Sequence, residues 1–242
     1  MGNGFTMERG ALHSLVEGSR SQHGILSAIE AGYIRAGLAP DADPSIRENN
    51  RLIAAIAHEA KANGAFIDNI EDVAENTIIG QGAESFVYLS KSGTHTVKLN
   101  NTHMSGNFTE FLARIAAHNA RFPDDPYRII GIAEDPDAAT TVVLQQPFVK
   151  SIEIQTSQNS IDAALQEAGY VLVPGSRSET DTGTWVSADG NVEIRDARPA
   201  NVLTDTDGRL HFIDTLITDK TFAGKTPKEL FRLINLEAFP PG

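Results

Sequence analysis

Three polar residues late in the sequence have the types and the spacing that phosphoryl transfer needs. Asp196 is followed five positions later by Asn201, and Asp214 comes after a hairpin signal at 205–208. One carboxylate can orient an acceptor hydroxyl and take its proton, while an amide and a second carboxylate hold a metal ion against phosphate oxygens. Turn capping alone would use Asp and Asn without requiring this spacing beside a hairpin. The segment therefore predicts a catalytic and metal-binding centre.

This segment resembles the catalytic loop and the metal-binding segment of the protein-kinase superfamily, in which an Asp, an Asn and a second Asp occur in this order. The resemblance implies that Asp196 is the catalytic base and that Asn201 and Asp214 hold Mg²⁺ or Mn²⁺. It also implies that Arg198 is a cation near the transferred phosphoryl group. Ile194 stands where the family usually has a histidine, and no Phe-Gly pair follows Asp214.

An upstream segment resembles the glycine-rich loop that covers the phosphates of ATP. Gly80 and Gly82 have no side chains, so backbone amides there can approach phosphate oxygens closely. Taken alone, without the downstream segment, this match would favour a plain β-turn. The resemblance implies that the loop residues contacting the nucleotide are Gly80, Gln81, Gly82, Ala83, Ser85 and Val87.

Two charged residues and a hinge complete the resemblance. Lys98 stands at the position of the lysine that contacts the α- and β-phosphates, and Glu110 matches the helix glutamate that pairs with it. We expect these two to form an ion pair; the alternatives are a solvated strand lysine and a first-turn glutamate favoured by the helix dipole. The backbone of Gln146 and Phe148 would meet adenine, although Pro147 between them cannot donate a hydrogen bond.

The elements that must position these residues follow from hydrophobic spacing and turn signals. Apolar positions at helical spacing predict a helical leader over 6–40 and 45–64, and β-rich runs from residue 77 predict an antiparallel meander. Glycine and Asp-Gly turns predict two later hairpins. The remaining predicted elements are helices at 108–121, 160–168 and 227–236, and strands at 128–134, 140–144, 170–173, 185–186, 192–194, 202–203 and 210–213.

These elements predict an α+β chain with a bilobal protein-kinase-like fold, a reduced C-terminal lobe and an N-terminal helical extension. We expect the extension at 1–75, the N-lobe at 76–150 and the C-lobe at 151–242. Only 28 residues follow Asp214, too few for the usual helical lower lobe. We therefore expect the leader to pack onto the core and cover apolar surface left open there. The alternative is a separate helical domain.

A hairpin directly before Asp196, together with Gln146-Pro147 at the hinge, resembles the small polyvalent protein kinase domains of bacterial phage and mobile-element proteins. The resemblance implies a bacterial origin and a role in conflict or transfer systems, but it does not identify a substrate. Our leading hypothesis is an ATP- and Mg²⁺-dependent phosphotransferase that acts on Ser/Thr hydroxyls of a protein, either another chain or itself. Three alternatives stay open: a small-molecule hydroxyl kinase, a pseudokinase that binds nucleotide as a scaffold, and nucleotidyl transfer onto a protein.

Composition excludes several other classes. A hydrophobic content of 40% supports a folded core, and a net charge of −12 argues against a nucleic-acid partner. The absence of cysteine excludes disulfides and thiolate metal sites. No apolar run approaches the roughly 20 residues that span a bilayer, and the start lacks a signal-peptide pattern. We expect a cytoplasmic protein with no membrane partner, and delivery into another cell stays open.

Overall fold

A computed structural model describes residues 9–39, 42, 44–82, 85–102, 106–152 and 155–237, with the side chains of 22–235 within those ranges. The predicted loop residue Ala83, the helix ends at 6–8 and 40, and the side chains of Leu12 and Leu15 lie outside the described residues.

The predicted leader forms two helices, α1 (Arg9–Ala36) and α2 (Ile46–Ala62). Ser45 begins α2 with a capping box, since its side chain accepts from the amide of Glu48 while the Glu48 carboxylate accepts from the amide of Ser45. The two helices pack closely where Gly32 faces Ile56. A Cβ on Gly32 would lie 2.5 Å from Cγ1 of Ile56, so only glycine allows this approach.

A six-stranded sheet follows the leader, in the order β1-β5-β6-β4-β3-β2. All neighbouring strands are antiparallel except β1 and β5, and the predicted meander forms the β2-β3-β4 part. Helix α3 (Phe108–Arg121) connects β4 to β5. The strands are β1 (Phe66–Ile67), β2 (Ala74–Gln81), β3 (Ser85–Ser90), β4 (His95–Asn100), β5 (Arg128–Glu134) and β6 (Thr140–Pro147).

The remaining chain is rich in short strands, as the sequence predicts. The strands form a four-stranded sheet of order β12-β9-β8-β7 and the hairpin β10-β11. The fold class α+β is therefore confirmed. The elements are α4 (Gln158–Glu167), β7 (Tyr170–Leu172), β8 (Trp185–Ser187), β9 (Val192–Arg195), β10 (Val202–Thr204), β11 (Leu210–Phe212), β12 (Leu216–Asp219), α5 (Pro227–Arg232) and a final π-helical turn (Leu233–Glu237).

The leader packs on a different surface from the one expected. Its residues Leu52 and Ile56 share one buried cluster with Leu112 of α3, Ile129 of β5 and Phe231 of α5. This cluster lies beside the six-stranded sheet, whereas the four-stranded sheet and the hairpin have their own core around a fully buried tryptophan at position 185. The C-terminal helix, expected in the C-lobe, also packs in the leader's cluster. Side chains of this helix, of α2 and of α3 all belong to this one cluster.

Over the described residues, no helix has the length and the apolar character that crossing a membrane would require.

Candidate active site

A cleft of about 540 Å³ opens between the six-stranded sheet and the β10-β11 hairpin. Its size falls within the range of small-molecule sites. The predicted site residues that line it come from both halves of the chain, so the fold brings together segments far apart in sequence. They are Gly80, Gln81, Gly82, Ser85, Val87, Lys98, Gln146, Phe148, Arg198, Asn201 and Asp214.

The glycine-rich loop joins β2 to β3 above this cleft. Gly80 pairs with Val87 across the two strands, and the amide of Gly82 donates to the carbonyl of Ser85 at 2.9 Å. Among the described residues, a Cβ on Gly80 or Gly82 would meet no atom closer than 3.5 Å outside its chain neighbours. Packing against the described residues therefore does not demand glycine at either position, and the open space leaves room for a ligand to approach the backbone closely.

Lys98 projects from β4 into the back of the cleft and is almost fully buried. Its Nζ donates to the carbonyl oxygen of Ile213 at 2.7 Å and to the hydroxyl of Tyr127 at 3.1 Å. It also lies 3.8 Å from Oδ1 of Asp214. Burial lowers the pKa of Lys98, and the carboxylate of Asp214 opposes that shift. The structure thus places Lys98 against the proposed metal-binding segment.

Asp196 and Asn201 are held together directly after β9. Nδ2 of Asn201 donates to Oδ2 of Asp196 at 2.8 Å and to its carbonyl oxygen at 2.9 Å. Asp196 has a φ of 55°, a left-handed conformation that is uncommon outside glycine. Nε of Arg198 lies 3.1 Å from the other carboxylate oxygen of Asp196. Asp196 adjoins the cleft through these two neighbours, which themselves line it.

The donor set fits a hard divalent cation bound with phosphate. Both hydrogen bonds from Asn201 use its Nδ2, so Oδ1 is the atom left to accept or to coordinate. The amide of Ile213 donates to the carbonyl of Asn201 at 2.9 Å, which brings Asp214 beside Asn201. Among the described residues, no three His, Cys, Asp or Glu side chains form a metal cluster. Two oxygen ligands with open positions suit Mg²⁺, which takes its other ligands from phosphates and water.

The hinge differs from the expectation for adenine contacts. The amide of Phe148 donates to the carbonyl of Thr94 at 2.9 Å. Gln146, two residues earlier, pairs with Thr96 of β4, and residues two apart on a strand point in the same direction, so its amide also faces β4. The side chain of Gln146 donates to the carbonyl of Asp125 at 2.9 Å. The next two residues, 149 and 150, also line the cleft, and among the described residues their amides donate to no partner. These amides are the better candidates for the base.

The predicted ion pair between Lys98 and Glu110 is wrong for this structure. Glu110 is exposed and caps its own helix, where its carboxylate accepts from the amide of Asn107 at 3.3 Å. The side chain of Glu110 fits because Gly106, at φ 86°, carries no Cβ; one there would lie 2.1 Å from Oε2. Glu110 lines a separate groove beside Arg195. The first-turn interpretation of this glutamate, weighed from the sequence, describes its position.

Two residues that the sequence did not single out contact the site or the helix behind it. The hydroxyl of Tyr127 donates to the carbonyl of Ile213 and accepts from Lys98. Asn49 of α2 accepts from the amide of Phe108 at 2.9 Å and so caps α3 from another element. Each contact joins residues distant in the chain, and no local motif marks either residue.

Comparison with known proteins supports the kinase resemblance. No curated protein matches the chain. A family model described as a serine/threonine/tyrosine kinase found in polyvalent proteins matches residues 48–221. This range covers more than half of the 242 residues and contains the glycine-rich loop, Lys98, the Asp196–Asn201 segment and Asp214. The chain therefore belongs to the family of serine/threonine/tyrosine kinases found in polyvalent proteins and carries a kinase-like domain of that type.

Proposed function

We propose that the cleft binds ATP with a divalent metal ion and that the protein transfers the γ-phosphoryl group to a Ser or Thr hydroxyl of a protein, either another chain or itself. One observation carries the proposal: Lys98, Asn201 and Asp214 face a single cleft beneath a glycine-rich loop. Asp196 is bonded to Asn201 at the edge of that cleft. Membership of a kinase family supports the same reaction class.

The loop and the lysine bind the phosphates. Gly80 and Gly82 allow backbone amides to approach the phosphate oxygens. The ammonium of Lys98 already lies 3.8 Å from Asp214, so it can contact phosphate oxygens that reach the metal-binding segment. Its burial strengthens this electrostatic interaction because little water screens it. These groups orient the nucleotide.

Asn201 and Asp214 would hold the metal ion through Oδ1 and the carboxylate. When bound, Mg²⁺ neutralises charge on the phosphates. The Asn201 amide stays in place because its Nδ2 is tied to Asp196.

Asp196 accepts the proton of the acceptor hydroxyl. The hydroxyl oxygen forms a bond to the γ-phosphorus, and the bond from that phosphorus to the β–γ bridging oxygen breaks. ADP leaves with the electron pair of the broken bond, and the proton ends on the carboxylate of Asp196. Arg198 lies 3.1 Å from that carboxylate and faces the cleft, where its positive charge can stabilise the transferred group.

The test combines binding with product mass. Calorimetry with ATP, with and without Mg²⁺, should show binding that depends on the metal, since hard oxygen ligands suit Mg²⁺ or Mn²⁺. Incubation with ATP, Mg²⁺ and casein as a second acceptor, followed by intact-mass spectrometry, should show a phosphoryl gain. Asp196→Asn should abolish the gain. Asp207→Asn is the control and should retain it, because Asp207 is an exposed carboxylate at the tip of the β10-β11 hairpin.

Each other outcome has a defined meaning. Equal ATP affinity without metal, or no binding at all, would overturn the proposed site. A gain of AMP would show nucleotidyl transfer, with ATP reversed in the cleft. Metal-dependent binding without any gain on the chain or on casein would favour the pseudokinase or a small-molecule acceptor over a protein acceptor.

A further inference from the structure

The ammonium of Lys98 is surrounded by acceptors that do not include a helix glutamate. Its contacts are the carbonyl of Ile213 at 2.7 Å, the hydroxyl of Tyr127 at 3.1 Å and the carboxylate of Asp214 at 3.8 Å. A buried ammonium needs such partners, because without them the charge loses its hydration and gains nothing in return. The groups that hold Lys98 therefore decide where its charge lies in the cleft.

Tyr127 contacts both Lys98 and the backbone before the metal-binding Asp214. Its hydroxyl donates to the carbonyl of Ile213 while it accepts from Lys98, so one oxygen bridges two parts of the site. The ring lies 5.0 Å from Nζ of Lys98, within cation–π range. Burial raises the pKa of Tyr127 well above its ordinary value, so the hydroxyl stays protonated and able to donate.

Helix α3 holds Tyr127 at its backbone and at its ring. Oδ1 of Asn119 accepts from the amide of Tyr127 at 2.7 Å, and Nδ2 of Asn119 donates to its carbonyl at 2.8 Å. The ring of His118 lies 4.6 Å from the tyrosine ring. His118 and Asn119 are both buried. A shift of α3 would therefore move Tyr127, and with it the groups around Lys98.

We propose that Tyr127 is the positioning residue that couples helix α3 to Lys98 and to the backbone carrying Asp214. Tyr127 holds Lys98 in place, the role that the kinase resemblance implied for Glu110, and it does so from the loop after α3 rather than from α3 itself. The inference rests on the proposed function, because it assigns how the nucleotide-binding lysine is held.

The test compares two tyrosines that each form a hydrogen bond with a residue of α3. Tyr127→Phe removes only the hydroxyl that touches Lys98. Tyr33→Phe is the matched control, because it removes a buried hydroxyl that bonds Thr109 of α3 at 2.8 Å on the leader side. We expect Tyr127→Phe to weaken ATP·Mg²⁺ affinity about tenfold, as loss of a hydrogen bond to a charged group does. Tyr33→Phe should leave affinity unchanged.

A double-mutant cycle separates positioning from a general effect on stability. If Tyr127 acts through Lys98, Tyr127→Phe should have little further effect on ATP·Mg²⁺ affinity in a Lys98→Ala background. Additive losses would overturn the proposal. Glu110→Gln tests the rival directly: a loss there, with none in Tyr127→Phe, would show that the helix glutamate holds Lys98 in the working state.

Different results would contradict the proposed function and the role of Tyr127. A natural-sequence protein that binds no ATP·Mg²⁺ would count against the proposed function. A protein that binds and transfers normally, with affinity and turnover unchanged in Tyr127→Phe, would count against the tyrosine alone. Thermal melting of both tyrosine variants checks that any loss of binding does not come from unfolding.

Discussion

Asp196, the proposed base, has an unfavourable backbone conformation. A non-glycine residue at φ 55° costs of order 1–3 kcal/mol, and it persists where the surroundings hold it. Here Asn201 bonds both the carbonyl and the carboxylate of Asp196, and Arg198 bonds the second carboxylate oxygen. The strained residue thus presents its carboxylate beside the proposed metal ligand.

The two aspartates should respond differently to loss of charge. Asp196→Asn should lower turnover about 10²- to 10⁴-fold while ATP·Mg²⁺ binding stays nearly intact, because a base meets the acceptor and not the nucleotide. Asp214→Asn should weaken the metal-dependent binding itself. Steady-state kinetics and calorimetry on both variants check this. Full turnover in Asp196→Asn would mean that another group takes the proton.

His211, on strand β11 of the β10-β11 hairpin, is held between two carboxylates. Nδ1 lies 2.7 Å from Asp125 and Nε2 lies 3.1 Å from Asp205. Burial lowers the pKa of His211, but the hydrogen bonds to the two carboxylates outweigh it, so the pKa is raised above the ordinary value. The folded state therefore binds this proton more tightly than the unfolded chain does, and the interaction joins the hairpin to the loop before β5.

This gives a pH dependence of stability with a definite sign. The contribution of His211 is fully present below its ordinary pKa of about 6.5 and is lost as pH rises through the raised value. We expect the free energy of unfolding to differ more between the natural protein and His211→Gln at about pH 6 than at about pH 9. Urea unfolding at both pH values measures it. An equal or larger difference at the higher pH would contradict the prediction.

Local spacing predicted the catalytic segment, and distant contacts explain what it missed. Asp196, Asn201 and Asp214 lie within 19 positions, so one strand, one loop and one hairpin bring them together. Tyr127 lies 29 positions from Lys98 and 86 from Ile213, and the contact exists only after the sheet and the lower half meet. Glu110 matched a family position, but a favourable capping box holds it at its own helix end.

At the scale of elements, the first amide of α3 bonds to a residue from another helix, in addition to the local capping box of Asn107 and Glu110. The amide of Phe108 donates to Oδ1 of Asn49 on α2, and Nδ2 of Asn49 donates to the carbonyl of Gly106 at 3.3 Å. First-turn amides have no partner within their own helix, so a buried one needs a partner from elsewhere. Asn49 is 2% exposed, so its side chain is shielded from water. The position of α3 thus depends on the leader.

Removing this cap should destabilise the protein. Asn49→Ala leaves the buried amide of Phe108 and the carbonyl of Gly106 without this partner, which should cost about 1–3 kcal/mol in the free energy of unfolding. Because α3 holds Tyr127, ATP·Mg²⁺ affinity should fall as well. Denaturant unfolding and calorimetry measure the two effects. Arg51→Ala, an exposed change on the same helix, is the control, and equal stability of the two variants would contradict the capping interpretation.

Helices and strands that carry local signals can be predicted from the sequence, and those formed by distant pairing cannot. The hairpins β8-β9 and β10-β11 were predicted because Asp-Gly turns and alternating residues are local signals. Strand β1 has two residues and pairs in parallel with β5, so neither its length nor its turn chemistry could mark it. Strand β12 was not predicted because its partner in the sheet, β9, lies well upstream, and no local pattern marks their pairing. Helix α4 begins at Gln158, two residues before the predicted start, because Ser157 caps it.

For the whole molecule, the leader is part of one core with the kinase-like elements. Ile25 and Ile56 are buried in the same cluster as Phe111 of α3 and Ile234 near the C-terminus of the described chain. At the surface, Nζ of Lys228 donates to a carboxylate oxygen of Glu30 at 2.7 Å, which joins α5 to α1. Each leader helix has one apolar stripe, and the stripe is buried against α3, β5 and α5 rather than within the leader alone.

The last prediction is that this core requires the leader. Deleting residues 1–64, which leaves β1 and β2 in the chain, removes Leu52 and Ile56 from the buried cluster and takes Asn49 from the start of α3, so apolar surface of α3 would face water. The truncated chain should aggregate or melt well below the full chain. Gly32→Ala tests the same packing without truncation: its Cβ would clash with Ile56, and we expect a loss of about 1–3 kcal/mol despite the better helix propensity of alanine. Ile34→Ala, at an 80% exposed position on α1, is the control and should melt with the natural protein. A truncated chain that stays soluble, melts at the temperature of the full chain and keeps its ATP·Mg²⁺ affinity would show instead that the leader is a separate helical domain.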